Sequence, residues 1–320
     1  MTVGRCEFVW GAKTYVMAAL NVTPDSFSGD GVIAHATGAH LKRGPSTSLG
    51  ASNNRTSLQS AGVQRGDTAW IQAAVDRALR FEDEGADVID IGGESTRPAS
   101  VYPDAKPVSA ADEMERVLPV IAALKGRLSA PMSIDTRKAD VARAAAGEGV
   151  ALLNDVSMLS DPAMAVVAAE TGLPLVISHI RAKAEYRDVV VDVVSDLSGA
   201  VEKAEQAGVL RNRIILDPGI GFAKRAEHSL EVLRRLGELQ GLGFPLLVGT
   251  SRKSFIGAVL DLPVDDRLEG TAATVAVAIA NGADMVRVHD VKAMARVARM
   301  ADAVVRGWHQ FPSPSGRGSG

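Results

Sequence analysis

Eight short apolar runs recur along the 320 residues, each ending in polar side chains. They are YVMAALNV (15–22), DVIDIGG (87–93), PMSIDT (131–136), LLNDVS (152–157), PLVISHI (174–180), RIILDPG (213–219), PLLVGTS (245–251) and DMVRVHD (284–290). Most are continuously apolar rather than alternating, as strands covered on both faces are. The stretches between them carry helical period. In 67–86, Trp70 and Ile71, Ala74 and Val75, and Ala78 and Leu79 recur every four residues, with Asp67 or Thr68 placed to cap. Ser109 and Asp112 open 109–126 at capping-box spacing. Segments 161–172, 191–208, 226–241, 269–282 and 290–307 follow the same pattern, and several close on glycine. Eight strand–helix units in a chain of this length predict an α/β fold, a (β/α)8 TIM barrel in one domain over 1–310. A doubly wound open sheet competes less well, because no unit carries a G-x-G-x-x-G turn. CEFVWGAKTYV (6–16) is expected to add an N-terminal hairpin that plugs the barrel floor.

Two stretches fall outside the repeat. Residues 31–66 separate the first strand from the first helix, hold four Lys/Arg and no acid, and show no period. Connections in α/β units usually take about 2–6 residues, so this is a long insertion in the loop after strand 1, expected to be flexible, with a lid over the barrel mouth as the sharper reading. The Pro/Gly/Ser-rich end, 311–320, reads as a disordered tail.

Bulk properties exclude some roles. Hydrophobic residues make up 46% and charged residues 23%, a globular balance, and the net charge of −3 gives no general pull toward nucleic acid or anionic membranes. The single cysteine, Cys6, excludes an internal disulfide and suits a reducing compartment. The N-terminus does not read as a signal peptide, and no run approaches the ~18 apolar residues of a membrane span. A soluble cytoplasmic protein without nucleic-acid or membrane partners is expected.

In barrel enzymes the working residues sit where strands end. Here those ends supply Asn21; Asp90, Glu94, Thr96 and Arg97; Asp135; Asn154 and Asp155; Ser178 and His179; Asp217; Ser251, Arg252 and Lys253; and Arg287 and His289. Asp135, Asn154 and Asp217 suit a flat heterocycle with N–H donors, since a carboxylate accepts two parallel bonds from such an edge. Lys253, Arg287, His289 and Arg97 suit an anion, and the loops after strands 7 and 8 form the usual phosphate site of this fold. Asn21 could place a neutral oxygen on a Mg²⁺ accompanying a diphosphate. Together they describe an enzyme for a phosphorylated, donor-rich heterocycle. Structural roles compete at several positions: Asp90 as a cap on a nearby backbone turn, His179 as a satisfied core histidine, Asp155 facing the helix layer. Arg252 and Lys253 are adjacent, so one of them should be structural. No Cys/His zinc cluster or Gly-x-Ser-x-Gly elbow occurs. A Schiff-base role for Lys253 would leave the carboxylate–amide set without purpose.

Seven stretches, LNVTPDSFS (20–28), GADVIDIGGESTRP (85–98), SIDTRK (133–138), LLNDVS (152–157), DPGIGFAK (217–224), GTSRKSFIG (249–257) and VRVHDV (286–291), resemble in order the motifs of dihydropteroate synthase, over residues 15 to about 305. That resemblance implies condensation of 6-hydroxymethyl-7,8-dihydropterin diphosphate with p-aminobenzoate, giving 7,8-dihydropteroate and pyrophosphate in folate synthesis. It implies that Asp135, Asn154, Asp217, Phe222 and Lys253 line a pterin pocket. It implies that Asn21, with Mg²⁺, and Arg97, Arg287 and His289 hold the diphosphate. Phe27, Thr96, Arg97, Pro98, Lys253 and Ser254 would shape the p-aminobenzoate site, and Asp135, Lys253, Arg287 and His289 would carry the chemistry. Phe27, Thr96, Pro98 and Ser254 match the ordinary sulfonamide-binding pattern, so a susceptible site is expected. Two features depart from the family: the 31–66 insertion, and Ser178-His179-Ile180, where methionines commonly flank the histidine. The resemblance also implies a homodimer packed through barrel helices. A methyltetrahydrofolate–corrinoid methyltransferase would share the heterocycle pocket but gives Arg97, Arg287 and His289 no diphosphate to hold. A barrel that kept only a partner-binding role would not need the intact Asp135, Asn154, Asp217, Lys253 and Arg287 set.

Overall fold

The computed structural model describes residues 1–23, 68–94 and 108–308. The insertion at 31–66, the tail at 311–320, and Phe27, Thr96, Arg97 and Pro98 lie outside the described residues.

The eight expected strands are all present: β3 (Tyr15–Asn21), β4 (Val88–Gly92), β5 (Met132–Asp135), β6 (Leu152–Asp155), β7 (Leu175–Ser178), β8 (Ile214–Asp217), β9 (Leu247–Val248) and β10 (Met285–Val288). They form one parallel sheet in the order β8-β7-β6-β5-β4-β3-β10-β9. A parallel bridge between Leu216 and Leu246 joins the two ends, with the Leu216 N–H donating to the Pro245 carbonyl at 2.9 Å, so the sheet curls into a barrel. Around it run α1 (Ala69–Asp83), α2 (Ala110–Leu124), α3 (Ala139–Glu148), α4 (Ala163–Thr171), α5 (Val189–Gln206), α6 (Ala226–Arg234), α7 (Ser254–Leu260), α8 (Leu268–Ala280) and α9 (Val291–Val305). Ser109 caps α2 as its spacing predicted, accepting from the Asp112 N–H, whereas Thr68 occupies the N-cap of α1 without a side-chain cap bond.

The period of the strand decides what faces where. Outward residues such as Ile89 and Ile91, Ile134, Ile177 and Leu216 pack with helix residues such as Val117, Ile121, Val193 and Leu197 into the larger core. Inward residues at the strand starts, Tyr15, Met17, Val88, Leu152, Val176, Ile215, Leu247 and Met285, form a second, smaller core on the barrel floor. The N-terminus closes that floor, with a correction to its register. The hairpin pairs β1 (Thr2–Val3) with β2 (Cys6–Glu7), turning at Gly4, not across 6–16. Residues after it lie under the barrel instead: the Phe8 ring stacks on Tyr15 at 4.2 Å and Trp10 meets Tyr15 edge-on at 5.4 Å. Above the floor, the inward positions of the same strands become polar: Asp90, Ser133, Asp135, Asn154, Ser178, Asp217 and Arg287. Among the described residues no helix is long and apolar enough to cross a membrane.

Candidate active site

Strand geometry delivers the acceptors. Asp135 and Asn154 are register partners at the ends of β5 and β6, and Ser178 and Asp217 at the ends of β7 and β8, two residues further along because Asn154 pairs with Val176; all four point into the barrel. All are buried. Asp217 accepts from the Gly219 N–H at 2.7 Å and from the Ser178 hydroxyl at 3.3 Å. Burial raises its pKa, opposed by the positive charge of Lys253. Burial also lifts Asp135, to about 7, although Arg287 pulls the other way. One oxygen of Asp135 and the amide oxygen of Asn154 are buried without a protein partner. Buried acceptors rarely stay unmet, and two on one level are poised for the N–H edge of a planar ligand.

Arg287, on β10, reaches across these strand ends. Its Nε donates to Asp90 at 2.6 Å and its Nη2 to Asp135 at 2.7 Å. Asp90 also accepts from the Asn154 amide nitrogen at 3.0 Å. Asp90 is therefore not a cap on a backbone turn; it is the fully buried counter-ion of Arg287. Lys253 enters from the N-cap of α7, hydrogen-bonds the Ile220 carbonyl and lies 4.5 Å over the Phe222 ring. Burial lowers its pKa to about 8. Burial, reinforced by the charge of Arg287, holds His289 near 3. Its Nδ1 lies 3.0 Å from the Ser251 hydroxyl.

The loops that carry these groups are tied down by neighbours the sequence did not reveal. Of the adjacent pair, Arg252 is the structural one. It sits at a left-handed φ of 58° and grips Asp290 with Nε at 2.9 Å and Nη2 at 2.5 Å. Its N–H donates to Thr271 and its carbonyl accepts from Arg267. That kink turns Lys253 inward. The loop after β8 passes so close to β7 that a Cβ at Gly219 would stand 1.8 Å from the His179 carbonyl oxygen. His179 is a satisfied buried histidine: its Nε2 meets Asp196 at 3.0 Å and its Nδ1 meets Lys224 at 2.7 Å. Burial depresses both, His179 to about 4 and Lys224 to about 7. Asp155 turns away from the mouth and caps the backbone at Ser157 and Leu159. At the end of β4, Glu94 accepts from the Val108 N–H, Arg137 and Lys138, and Lys138 also pairs with the fully buried Glu113.

Asn21 stands exposed at the end of β3, beside Gly92 in register. Among the described residues no group of three His, Cys, Asp or Glu side chains could cage a metal. The donor set fits a Mg²⁺ held mainly by substrate oxygens and water, with one amide oxygen from the protein. Ser254, the first residue of α7, is exposed beside Lys253. The geometry thus gathers Asp135, Asn154, Asp217, Phe222, Lys253, Arg287 and His289 about the barrel mouth. Asp90, Ser251, Arg252 and Lys224 hold these groups or their loops through hydrogen bonds to partners distant in sequence.

The sequence profile described as pterin binding enzyme matches residues 54–289. The dihydropteroate synthase of Bacillus subtilis is 45% identical over 294 residues, covering 92% of this chain and 89% of that one. A dihydropteroate synthase from Clostridium difficile, solved in the presence of pteroic acid, superposes with a TM-score of 0.79 at 40% identity, covering 94% of this chain and 100% of that one. The Yersinia pestis dihydropteroate synthase, solved with a sulfonamide drug, gives a TM-score of 0.77 at 33% identity over 95% of this chain and 98% of that one. By profile, sequence and fold, the chain belongs to the pterin binding enzymes and, within them, to the dihydropteroate synthases.

Proposed function

We propose that the protein condenses 6-hydroxymethyl-7,8-dihydropterin diphosphate with p-aminobenzoate, releasing 7,8-dihydropteroate and pyrophosphate for folate synthesis. The observation that carries this reading is the layer of buried acceptors at the strand ends, Asp135, Asn154 and Asp217, bordered by the cations Lys253 and Arg287. The acceptors match the amino and N–H donors of a pterin, and Phe222 under Lys253 offers a flat apolar wall.

In this reading the bond between the pterin methylene carbon and the diphosphate oxygen breaks first, and its electron pair leaves with pyrophosphate. The cationic pterin left behind is stabilised by ionised Asp135, fixed in place beforehand by Arg287. The aniline nitrogen then attacks the methylene carbon and sheds a proton. It needs placement and no activating base, being a nucleophile already. Arg287 keeps N–H groups beyond the two bound to Asp90 and Asp135. With His289 and with Arg97 it receives the leaving group. Mg²⁺ at Asn21 would neutralise charge on the diphosphate.

The second substrate's slot is proposed at Phe27, Thr96, Arg97, Pro98, Lys253 and Ser254, and sulfonamides are expected to compete there at low micromolar concentration. A homodimer is proposed, supported by apolar side chains left exposed on α7 (Val259, Leu260) and α8 (Leu268, Val277). A cytoplasmic location accords with the single, unpaired Cys6. The test is pyrophosphate release from the pterin diphosphate with Mg²⁺. Release that depends on p-aminobenzoate, with dihydropteroate formed, is expected. Tight binding of the pterin diphosphate without turnover would refute the proposal.

A further inference from the structure

Asp90 is fully buried in the middle of β4, and the resemblance gives it no role. Its Oδ2 accepts from two side chains carried by different strands, Arg287 Nε at 2.6 Å and Asn154 Nδ2 at 3.0 Å. A carboxylate only accepts. Asn154 must therefore turn its NH₂ toward Asp90, which leaves its Oδ1 facing elsewhere, buried and without a protein partner. An amide has nearly the same shape either way round, so packing alone does not choose between the two faces; the charge on Asp90 does. Arg287 would stay near by its second bond, to Asp135 at 2.7 Å, so the amide is the element most dependent on Asp90.

We propose that Asp90 is a specificity-determining positioning residue: by holding the Asn154 amide nitrogen, it fixes Asn154 Oδ1 as an acceptor and sets the pocket's preference for a pteridine edge bearing N–H donors. The inference rests on the reading of this layer as a pterin pocket. It makes Asp90 responsible for telling a 2-amino pteridine from its 2-oxo counterpart, whose carbonyl would meet the Asn154 oxygen acceptor to acceptor. A group that merely stabilised the barrel would affect both ligands alike.

The test is calorimetric binding of two probes, 6-hydroxymethylpterin and 6-hydroxymethyllumazine, to the full-length protein and to D90N and the exchange variant D90N/N154D, with melting midpoints measured alongside. The wild type is expected to prefer the pterin by about 100-fold or more, since a site built to accept from the 2-amino group is left unpaired by an analogue with a carbonyl there. D90N lets the amide turn over and is expected to narrow that preference by about 10-fold, the worth of one buried hydrogen bond. In D90N/N154D the Asn at position 90 donates to the Asp at position 154, whose other oxygen again faces the ligand, so the preference returns to within about 3-fold of wild type. A folded D90N that keeps the full preference would overturn the proposal. If D90N does not fold, the exchange variant decides, and a folded exchange variant without the preference overturns it. A wild type that binds both probes equally would instead overturn the pterin reading, and the proposal with it.

Discussion

Asp135 and Lys253 have pKa values drawn together by burial, about 7 and about 8, and the proposed chemistry needs the first ionised and the second protonated. Below about pH 7 Asp135 takes up a proton and its negative charge is lost; above about pH 8 Lys253 loses its own proton. The profile of kcat/KM is therefore expected to be bell-shaped, with its maximum between those values. Arg287 faces Asp135 and opposes its rise, while the charges of Asp90, Glu113 and Asp155 add to it. Replacing Asp135 by Asn removes the titrating charge. It is expected to lower kcat by roughly 100- to 1,000-fold, the cost of deleting a preorganised electrostatic group, and to abolish the acidic limb. An acidic limb that persists in D135N would assign it to another residue. The place of Asp135 at the barrel mouth was legible because a carboxylate there closes an otherwise apolar strand. The partnership of Asp90 with Arg287 was not, because the two stand 197 residues apart and meet only when β4 and β10 flank β3 in the closed barrel.

At the scale of elements, apolar runs located every strand of the barrel and capping chemistry located α2, but the first strand of the N-terminal hairpin, α3 and α7 went unread. The α3 segment is largely alanine and offers little contrast between faces, and α7 is seven residues long, too short to show a period. The loops at the mouth were legible as polar bursts, yet their conformation depends on contacts that no local pattern announces. The turn after β8 is the clearest case. Gly219 has a φ of 66°, and any side chain there strikes the backbone of His179, just past β7. Gly219→Ala is expected to cost at least about 2 kcal/mol, combining a left-handed penalty with a steric overlap that must displace Asp217 or His179. Chemical denaturation measures the first effect. Calorimetry with a pterin measures the second, as an affinity loss of about 10-fold or more. Wild-type affinity in a folded G219A protein would show that the turn does not set the position of Asp217. The Arg252–Asp290 pair acts in the same way between the β9 and β10 loops. Arg252→Ala is expected to weaken kcat while leaving the melting midpoint within a few degrees, because the pair is partly exposed and such pairs add about 1 kcal/mol or less to stability.

Across the whole molecule, the barrel separates stability from chemistry along its axis. The apolar layer that fills the floor lies at the strand starts, and the ionisable layer lies at their ends. The N-terminal segment belongs wholly to the first. Phe8 is 3% exposed, stacks on Tyr15, and stands on the far side of the floor core from Asp135 and Lys253. Phe8→Ala should open a cavity between the hairpin and the barrel floor, with a loss of about 3–5 kcal/mol. For a protein this large that corresponds to a fall of roughly 6–20 °C in the melting midpoint, since each kcal/mol moves it by about 2–4 °C. At a temperature where the variant remains folded, its kcat and the KM for p-aminobenzoate should stay within about twofold of wild type, because no strand end moves when the floor is thinned. Differential scanning calorimetry and steady-state kinetics on the same preparation measure both quantities. A large loss of kcat with the midpoint intact would mean that the plug transmits strain through the strands to the mouth. That outcome would contradict the division of the barrel interior into an apolar half that holds the fold and a polar half that works.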